Sequence, residues 1–298
     1  MRCARALSLL LLPATLTLSS CDKDASTETP SDAVAPAESS TPRSAPEGSR
    51  LTGLVDEDTF ASMHQLSEAE APALRGETVE LAGTRAYLSL PEGASGPVPA
   101  LVVIHEWWGL NDHIRHWTDR LAADGYAALA VDLYGGEVAT TPDEAMAIMK
   151  RVDPEAAAAT LQAAHAFLAS DPRIQATRRG VIGWCFGGGW SLRHAIATSD
   201  LDAAVIYYGR TTEDPAELGQ IQAPLLGVFA NEDRSIPPEV VDGFAAALES
   251  AGKSIELHRY DAEHAFANPS NARYDHDSAA DAWSRVRAFL ARELREGE

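Results

Sequence analysis

The chain alternates short, wholly apolar runs with longer segments that are apolar on one side only. Ala100-Leu101-Val102-Val103-Ile104 is apolar throughout, and Tyr126–Val131, Val181–Trp184, Ala203–Tyr208 and Pro224–Ala230 read the same way. Runs of this length without polar alternation predict strands covered on both faces. The intervening segments carry helix signals. His113–Asp124 is followed by Gly125, a residue suited to the left-handed position that ends a helix. Pro142–Lys150 and Pro154–Ala169 each open on a proline, whose missing N–H costs nothing in a first helical turn. Pro237–Ala251 reads as a helix, Ser254–Arg259 as a strand, and Asp277–Arg295 as a closing helix with Trp283, Val286, Phe289 and Leu290 on one stripe. Glu77–Leu81 and Thr84–Leu90 read as an antiparallel pair turned at Ala82-Gly83. The alternation predicts an α/β fold with a mostly parallel central sheet and helices on both faces. Chemistry in such sheets gathers just beyond the carboxyl ends of the strands.

The first part of the chain breaks the pattern. In residues 1–21, Arg2 and Arg5 precede an apolar run from Ala6 to Leu18 that ends in Leu18-Ser19-Ser20-Cys21. The run is short for a membrane span and reads as an export signal. Its last four residues resemble the bacterial lipoprotein processing box. That resemblance implies lipidation at Cys21 and a membrane-tethered, exported protein on the periplasmic side of the cell envelope. A plain secretory signal is the alternative. Residues 22–50 are dense in Ser, Thr, Pro, Ala and Glu and read as a disordered tether, too polar to offset the entropy of ordering. Residues 51–74 form a lead-in that is either a short amphipathic helix or extended chain. Residues 75–298 are long enough for one well-developed core.

Charge and cysteine usage narrow the function. A net charge of −20 has the wrong sign for holding nucleic acid by its phosphates. The cysteines are Cys3, Cys21 and Cys185, which leaves one thiol in the mature domain. That excludes an intramolecular disulfide, a multi-cysteine zinc site and a dithiol redox centre. No protein partner is predicted.

The candidate chemistry centres on Gly183-Trp184-Cys185-Phe186-Gly187, between the strand ending at Trp184 and a helix read over Trp190–Ala197. A strand, a tight turn flanked by glycines and a helix make a nucleophile elbow, with Cys185 as the projecting residue. A thiol ionises far more readily than a serine hydroxyl and needs less activation. The loops after the other strands supply partners: His105-Glu106-Trp107-Trp108-Gly109-Leu110-Asn111, Asn231-Glu232-Asp233 and Asp261-Ala262-Glu263-His264. The order Cys185, Asp233, His264 is the nucleophile–acid–histidine order of α/β-hydrolases. Glu232 and Asp261 rival Asp233 as the acid. His105-Glu106 lacks the second histidine of a zinc motif, and Gly187-Gly188-Gly189 lacks the Lys-Ser/Thr of a phosphate loop. No cofactor or metal is expected.

Five ordered segments make the domain resemble the dienelactone hydrolase family: His105–Asn111, Asp132-Leu133-Tyr134-Gly135, Gly183–Gly188, Asp233 and His264-Ala265-Phe266. The resemblance implies an α/β-hydrolase fold and a hydrolase that opens a lactone or carboxylic ester through Cys185, Asp233 and His264. It also implies that Glu106 helps draw the proton from the thiol. Backbone N–H groups of Trp107 and Phe186 would then form the oxyanion hole, with Trp108, Tyr134, Phe266 and Asn268 on the substrate pocket. Where family members carry a carboxylate-binding arginine four residues after the histidine, this chain has Asn268. A carboxylesterase acting on neutral esters is therefore an alternative, as is a catalytically inactive, membrane-tethered binding module.

Overall fold

The computed structural model describes residues 73–94 and 96–295. The export signal with Cys21, the tether and nearly all of the lead-in segment lie outside the described residues.

Among the described residues, eight strands form one sheet: β1 (Glu77–Leu81), β2 (Thr84–Ser89), β3 (Ala100–Ile104), β4 (Ala127–Val131), β5 (Arg179–Trp184), β6 (Ala203–Tyr207), β7 (Leu225–Ala230) and β8 (Glu256–Tyr260). Their order across the sheet is β1-β2-β4-β3-β5-β6-β7-β8. The pairs β1–β2 and β2–β4 are antiparallel and every other pair is parallel. The central strands β3, β4 and β6, and β5 beyond Arg179, are apolar along their length because both of their faces are covered. In β3, Ala100, Val102 and Ile104 face one core while Leu101 and Val103 face the other. The strand β8 is half-buried from end to end, as expected for a sheet edge, and its sequence Glu-Leu-His-Arg-Tyr is correspondingly mixed.

Among the described residues there are seven helices: α1 (Asp112–Ala123), α2 (Pro142–Met149), α3 (Pro154–Ser170), α4 (Phe186–Ala197), α5 (Pro215–Leu218), α6 (Pro238–Ser250) and, after the last strand, α7 (His276–Leu294). One face of the sheet is covered by α3, α4 and α6 through Leu161, Leu168, Leu192, Val241, Phe244 and Leu248. The other is covered by α1 and α7 through Ile114, Trp117, Leu121, Trp283, Val286, Phe289 and Leu290. Each of these large side chains contributes on the order of 1.5–3 kcal/mol when fully buried. Local chemistry sets the helix ends. Asn111 accepts from Ile114 N at 3.2 Å to start α1, and Gly125, at φ +90°, closes it. Thr141 and Glu144 exchange hydrogen bonds in a capping box that starts α2.

Two differences from the sequence reading concern the elbow and its neighbourhood. The helix after Cys185 starts at Phe186 rather than Trp190, so Gly187, Gly188 and Gly189 form its first turn. The chain reverses in a single residue, which leaves no room for a loop. The short helix α5 had no periodicity to announce it; Asp214 caps it by accepting from Ala216 N at 2.8 Å.

Candidate active site

Cys185 follows β5 directly, with φ +55° and ψ −113°. A non-glycine residue in this region stores about 1–3 kcal/mol of strain, which the surroundings must hold. They do so through Cys185 N, which donates to Tyr207 O at 3.0 Å, and Cys185 O, which accepts from Gly189 N at 3.2 Å. The glycines are required by contact. A Cβ on Gly183 would strike the carbonyl of Gly187, and one on Gly187 would strike the carbonyls of Ile104 and His105. Gly188 meets Gly209 backbone to backbone, which packs α4 close against the end of β6. The outcome is a half-exposed thiol raised at the carboxyl edge of the sheet.

Asp233 and His264 follow β7 and β8, and the parallel register Ala230↔Tyr260 brings their loops side by side. His264 Nδ1 donates to Asp233 Oδ2 at 2.6 Å. Asp233 is 2 % exposed, and its Oδ1 accepts from Ser235 N at 2.7 Å and Ile236 N at 3.0 Å. Burial would raise the Asp233 carboxyl, but the His264 hydrogen bond and these backbone donors outweigh it and hold it low. The rivals are placed elsewhere. Asp261 accepts from Asn231 Nδ2 at 2.6 Å, and Glu232 is exposed. At His264, burial alone would favour the neutral ring. The hydrogen bonds and charges of Asp233 and Cys185 together overcome it and raise the imidazole well above its ordinary value. The pairing of His264 with both groups places Cys185 beside the ring.

Glu106 follows β3 and is 3 % exposed. Burial pushes its carboxyl up to about 7, against the opposing pull of His264 and a hydrogen bond from Asn268. That bond, Asn268 Nδ2 to Glu106 Oε2, is 2.6 Å long, and His113 Nε2 lies 3.9 Å from the same oxygen. Trp107 sits in the turn after Glu106, which is closed by Gly109 N donating to Glu106 O at 3.2 Å. Phe186 heads α4, where a first-turn N–H has no partner within the helix. Trp107 and Trp108 are half-exposed and packed edge to face at 5.0 Å. Tyr134 is buried against His105 and Phe186, at 4.6 and 5.3 Å between ring centroids.

Two pocket expectations are revised. Phe266 is wholly buried between Tyr208 and Tyr260, so it belongs to the core and offers a substrate no surface. Asn268 is 3 % exposed and turns its amide inward to Glu106. Two residues were missed. His105 Nε2 accepts from Leu133 N at 3.2 Å, so the proton sits on Nδ1, which donates to Glu106 O at 2.6 Å. It ties the ends of β3 and β4 together. Tyr208, at φ +34°, packs its ring 5.0 Å from that of His264. It lies just beyond β6, where inspection of the residues after each strand could have found it. Among the described residues there is no cluster fit for a metal ion, and no helix long and apolar enough to cross a membrane.

Residues 84–294 match the model of the dienelactone hydrolase family. A protein of Escherichia coli K12, provisionally named carboxymethylenebutenolidase, is 32 % identical over 216 residues, covering 67 % of this chain and 79 % of that one. A protein of Saccharolobus solfataricus with the same provisional name is 32 % identical over 245 residues, covering 70 % and 93 %. Among solved structures, a dienelactone hydrolase-like promiscuous phosphotriesterase from metagenomic libraries superposes with a TM-score of 0.67 at 26 % identity, covering 74 % of this chain and 98 % of that one. A sheet of this order, an elbow at the end of β5 and a match across all of its strands but β1 lead to one conclusion: the chain belongs to the dienelactone hydrolase family of α/β-hydrolases.

Proposed function

We propose that the protein hydrolyses a lactone or carboxylic ester through a Cys185 nucleophile, with Asp233 and His264 completing a triad. The observation that carries this reading is the strained, glycine-framed turn that presents Cys185 beside a histidine already bonded to a buried carboxylate. His264 Nδ1 is taken by Asp233, so Nε2 is the nitrogen left to exchange protons with the thiol.

The thiol proton passes to His264, and the Glu106 carboxylate helps draw it off the sulfur. The sulfur attacks the carbonyl carbon, an S–C bond forms, and the carbonyl π pair moves onto oxygen. The N–H groups of Trp107 and Phe186 stabilise that oxyanion. As the tetrahedral centre collapses, the C–O bond to the leaving alkoxide breaks and His264 returns the proton to it. Water, deprotonated by His264, then attacks the thioester and releases the acid and the thiol. Trp107 and Trp108 supply an aromatic wall for the acyl group. Position 268 offers no charge to a substrate carboxylate, which favours uncharged esters and lactones. The test is a pre-steady-state burst of p-nitrophenol from p-nitrophenyl acetate. Wild type should show it and Cys185→Ala should not. A burst surviving in that variant ends the proposal.

We infer also that Cys21 carries the lipid anchor, on the strength of Leu18-Ser19-Ser20-Cys21 after an apolar run. Metabolic labelling with palmitate should mark the wild type and not Cys21→Ala. Equal labelling in both ends the idea.

A further inference from the structure

The carboxylate of Glu106 lies in a place where a charge is expensive to keep. Its partner from the loop after His264 is a neutral amide, Asn268, and that amide is itself held from behind. Asn268 Oδ1 accepts twice, from Ser270 Oγ at 2.6 Å and from Ser270 N at 2.9 Å. Both donors fall on one end of the amide, so the flip state is decided and Nδ2 must face Glu106. Backbone bonds fix the loop as well: Asn268 N donates to Ala265 O at 3.0 Å and Asn271 N to Asn268 O at 2.9 Å. Every polar group of Asn268 apart from the second amide hydrogen is therefore assigned.

We propose that Ser270 and Asn268 act in series as positioning residues, aiming one neutral donor at Glu106 and holding its carboxylate beside the triad. The inference rests on the proposed role of Glu106 in helping to draw off the thiol proton. An amide that donates to a carboxylate favours its ionised form without contributing a charge. A cation in the same place would pin Glu106 in the ionised state across the working pH range. With a neutral donor, Glu106 can hold its proton at moderately acidic pH and release it near neutrality. The groups that face it are His113 from α1, His264 from the loop after β8, and Tyr208 from the end of β6, with Cys185 and Asp233 beyond His264. Only the donor supplied by Asn268 is set by a serine outside this group.

The test uses the full-length protein and two readouts over pH 5 to 9: alkylation of Cys185 by iodoacetamide, and kcat/KM for p-nitrophenyl acetate. Asn268→Asp keeps the shape and the Ser270 contacts but replaces the donor with a second carboxyl oxygen. The two acids then share a proton, and the midpoint of both profiles should rise by about one unit or more. Ser270→Ala removes only one of the two bonds to Oδ1, and the midpoint should move the same way by less. It decides the matter alone if Asn268→Asp does not fold. In a Glu106→Gln background, neither change should move the midpoint further. A uniform loss of rate with an unmoved midpoint, or the same shift with Gln at 106, overturns the proposal. A p-nitrophenol burst persisting in Cys185→Ala overturns the hydrolase reading and this inference with it. A burst abolished there, with midpoints unmoved in Asn268→Asp and Ser270→Ala, overturns the inference alone.

Discussion

The molecule sets histidines at both ends of its sheet, and His264 at the carboxyl end stands apart from His165 and His194 at the amino end. At the carboxyl end, His264 is bonded at 2.6 Å to Asp233, whose side chain is wholly out of solvent. At the amino end, His165 of α3 and His194 of α4 pack ring to ring at 5.6 Å. His165 has a carboxylate too, Asp200, at 3.3 Å, but that side chain is 65 % exposed and is shared with Arg179 at 2.7 Å. His194 has the hydroxyl of Thr198, 3.3 Å from its Nδ1, in place of a hydrogen-bonded carboxylate. Burial disfavours the imidazolium at all three. It prevails at His165, where Arg179 adds to it, and at His194, where the pKa falls to about 4. At His264 it is overcome. What sets His264 apart is a wholly buried carboxylate, uncontested by a neighbouring cation, aimed at its ring.

The largest expected effect tests the active end directly. Cys185→Ala should abolish turnover, by roughly 10³-fold or more, with an unchanged circular dichroism spectrum. His264→Ala should cost nearly as much, because the groups act as a unit. Turnover retained in either variant would mean that the contrast between the two ends has no catalytic meaning.

Asp233→Asn removes the charge that sets His264 apart. It should lower kcat/KM by about 100-fold or more. The His264 pKa, followed by the NMR shift of its ring proton, should fall below its wild-type position. An unmoved titration would show that Asp233 is not the source of the difference.

Glu106→Gln sharpens the picture by removing the second buried acid. Because its carboxyl is pushed up to about 7, the wild-type rate should climb as pH rises through 7 and the carboxylate forms. The variant should lose that inflection and about tenfold in rate at pH 8. A wild-type inflection surviving in the variant assigns it to another group.

The smallest effect belongs to the amino end and to stability. A folded-state pKa near 4 at His194, against 6.5 when unfolded, means the unfolded chain takes up the proton first as pH falls. Stability is therefore full above about 6.5 and is lost progressively toward 4. At pH 5 the loss is about 2 kcal/mol, or a few degrees in Tm. His194→Leu should flatten the dependence of Tm on pH between 7 and 5. A variant as acid-sensitive as the wild type places the sensitivity elsewhere.

Local chemistry made much of this legible in advance. The covered strands declare themselves because a residue buried on either face must be apolar, and the glycines at 183 and 187 because a Cβ at either collides with backbone. Those are constraints between neighbours in the chain or within one turn. The choice among Asp233, Asp261 and Glu232 was of another kind. All three sit at strand ends, and only the pairing of β7 with β8 and the Ser235–Ile236 turn decide that Asp233 points at His264. Phe266 shows the same limit: an aromatic next to a site is pocket or core according to what packs behind it, here Tyr208 and Tyr260. By itself the sequence determined the sheet, the elbow and the order of the candidate residues along the chain, since periodicity and sterics act over a few residues. Tertiary structure alone decided which acid meets His264, how Asn268 turns its amide, and at which histidine burial is overcome. Those outcomes depend on directions and distances between side chains far apart in the chain, and on how completely water is excluded around them.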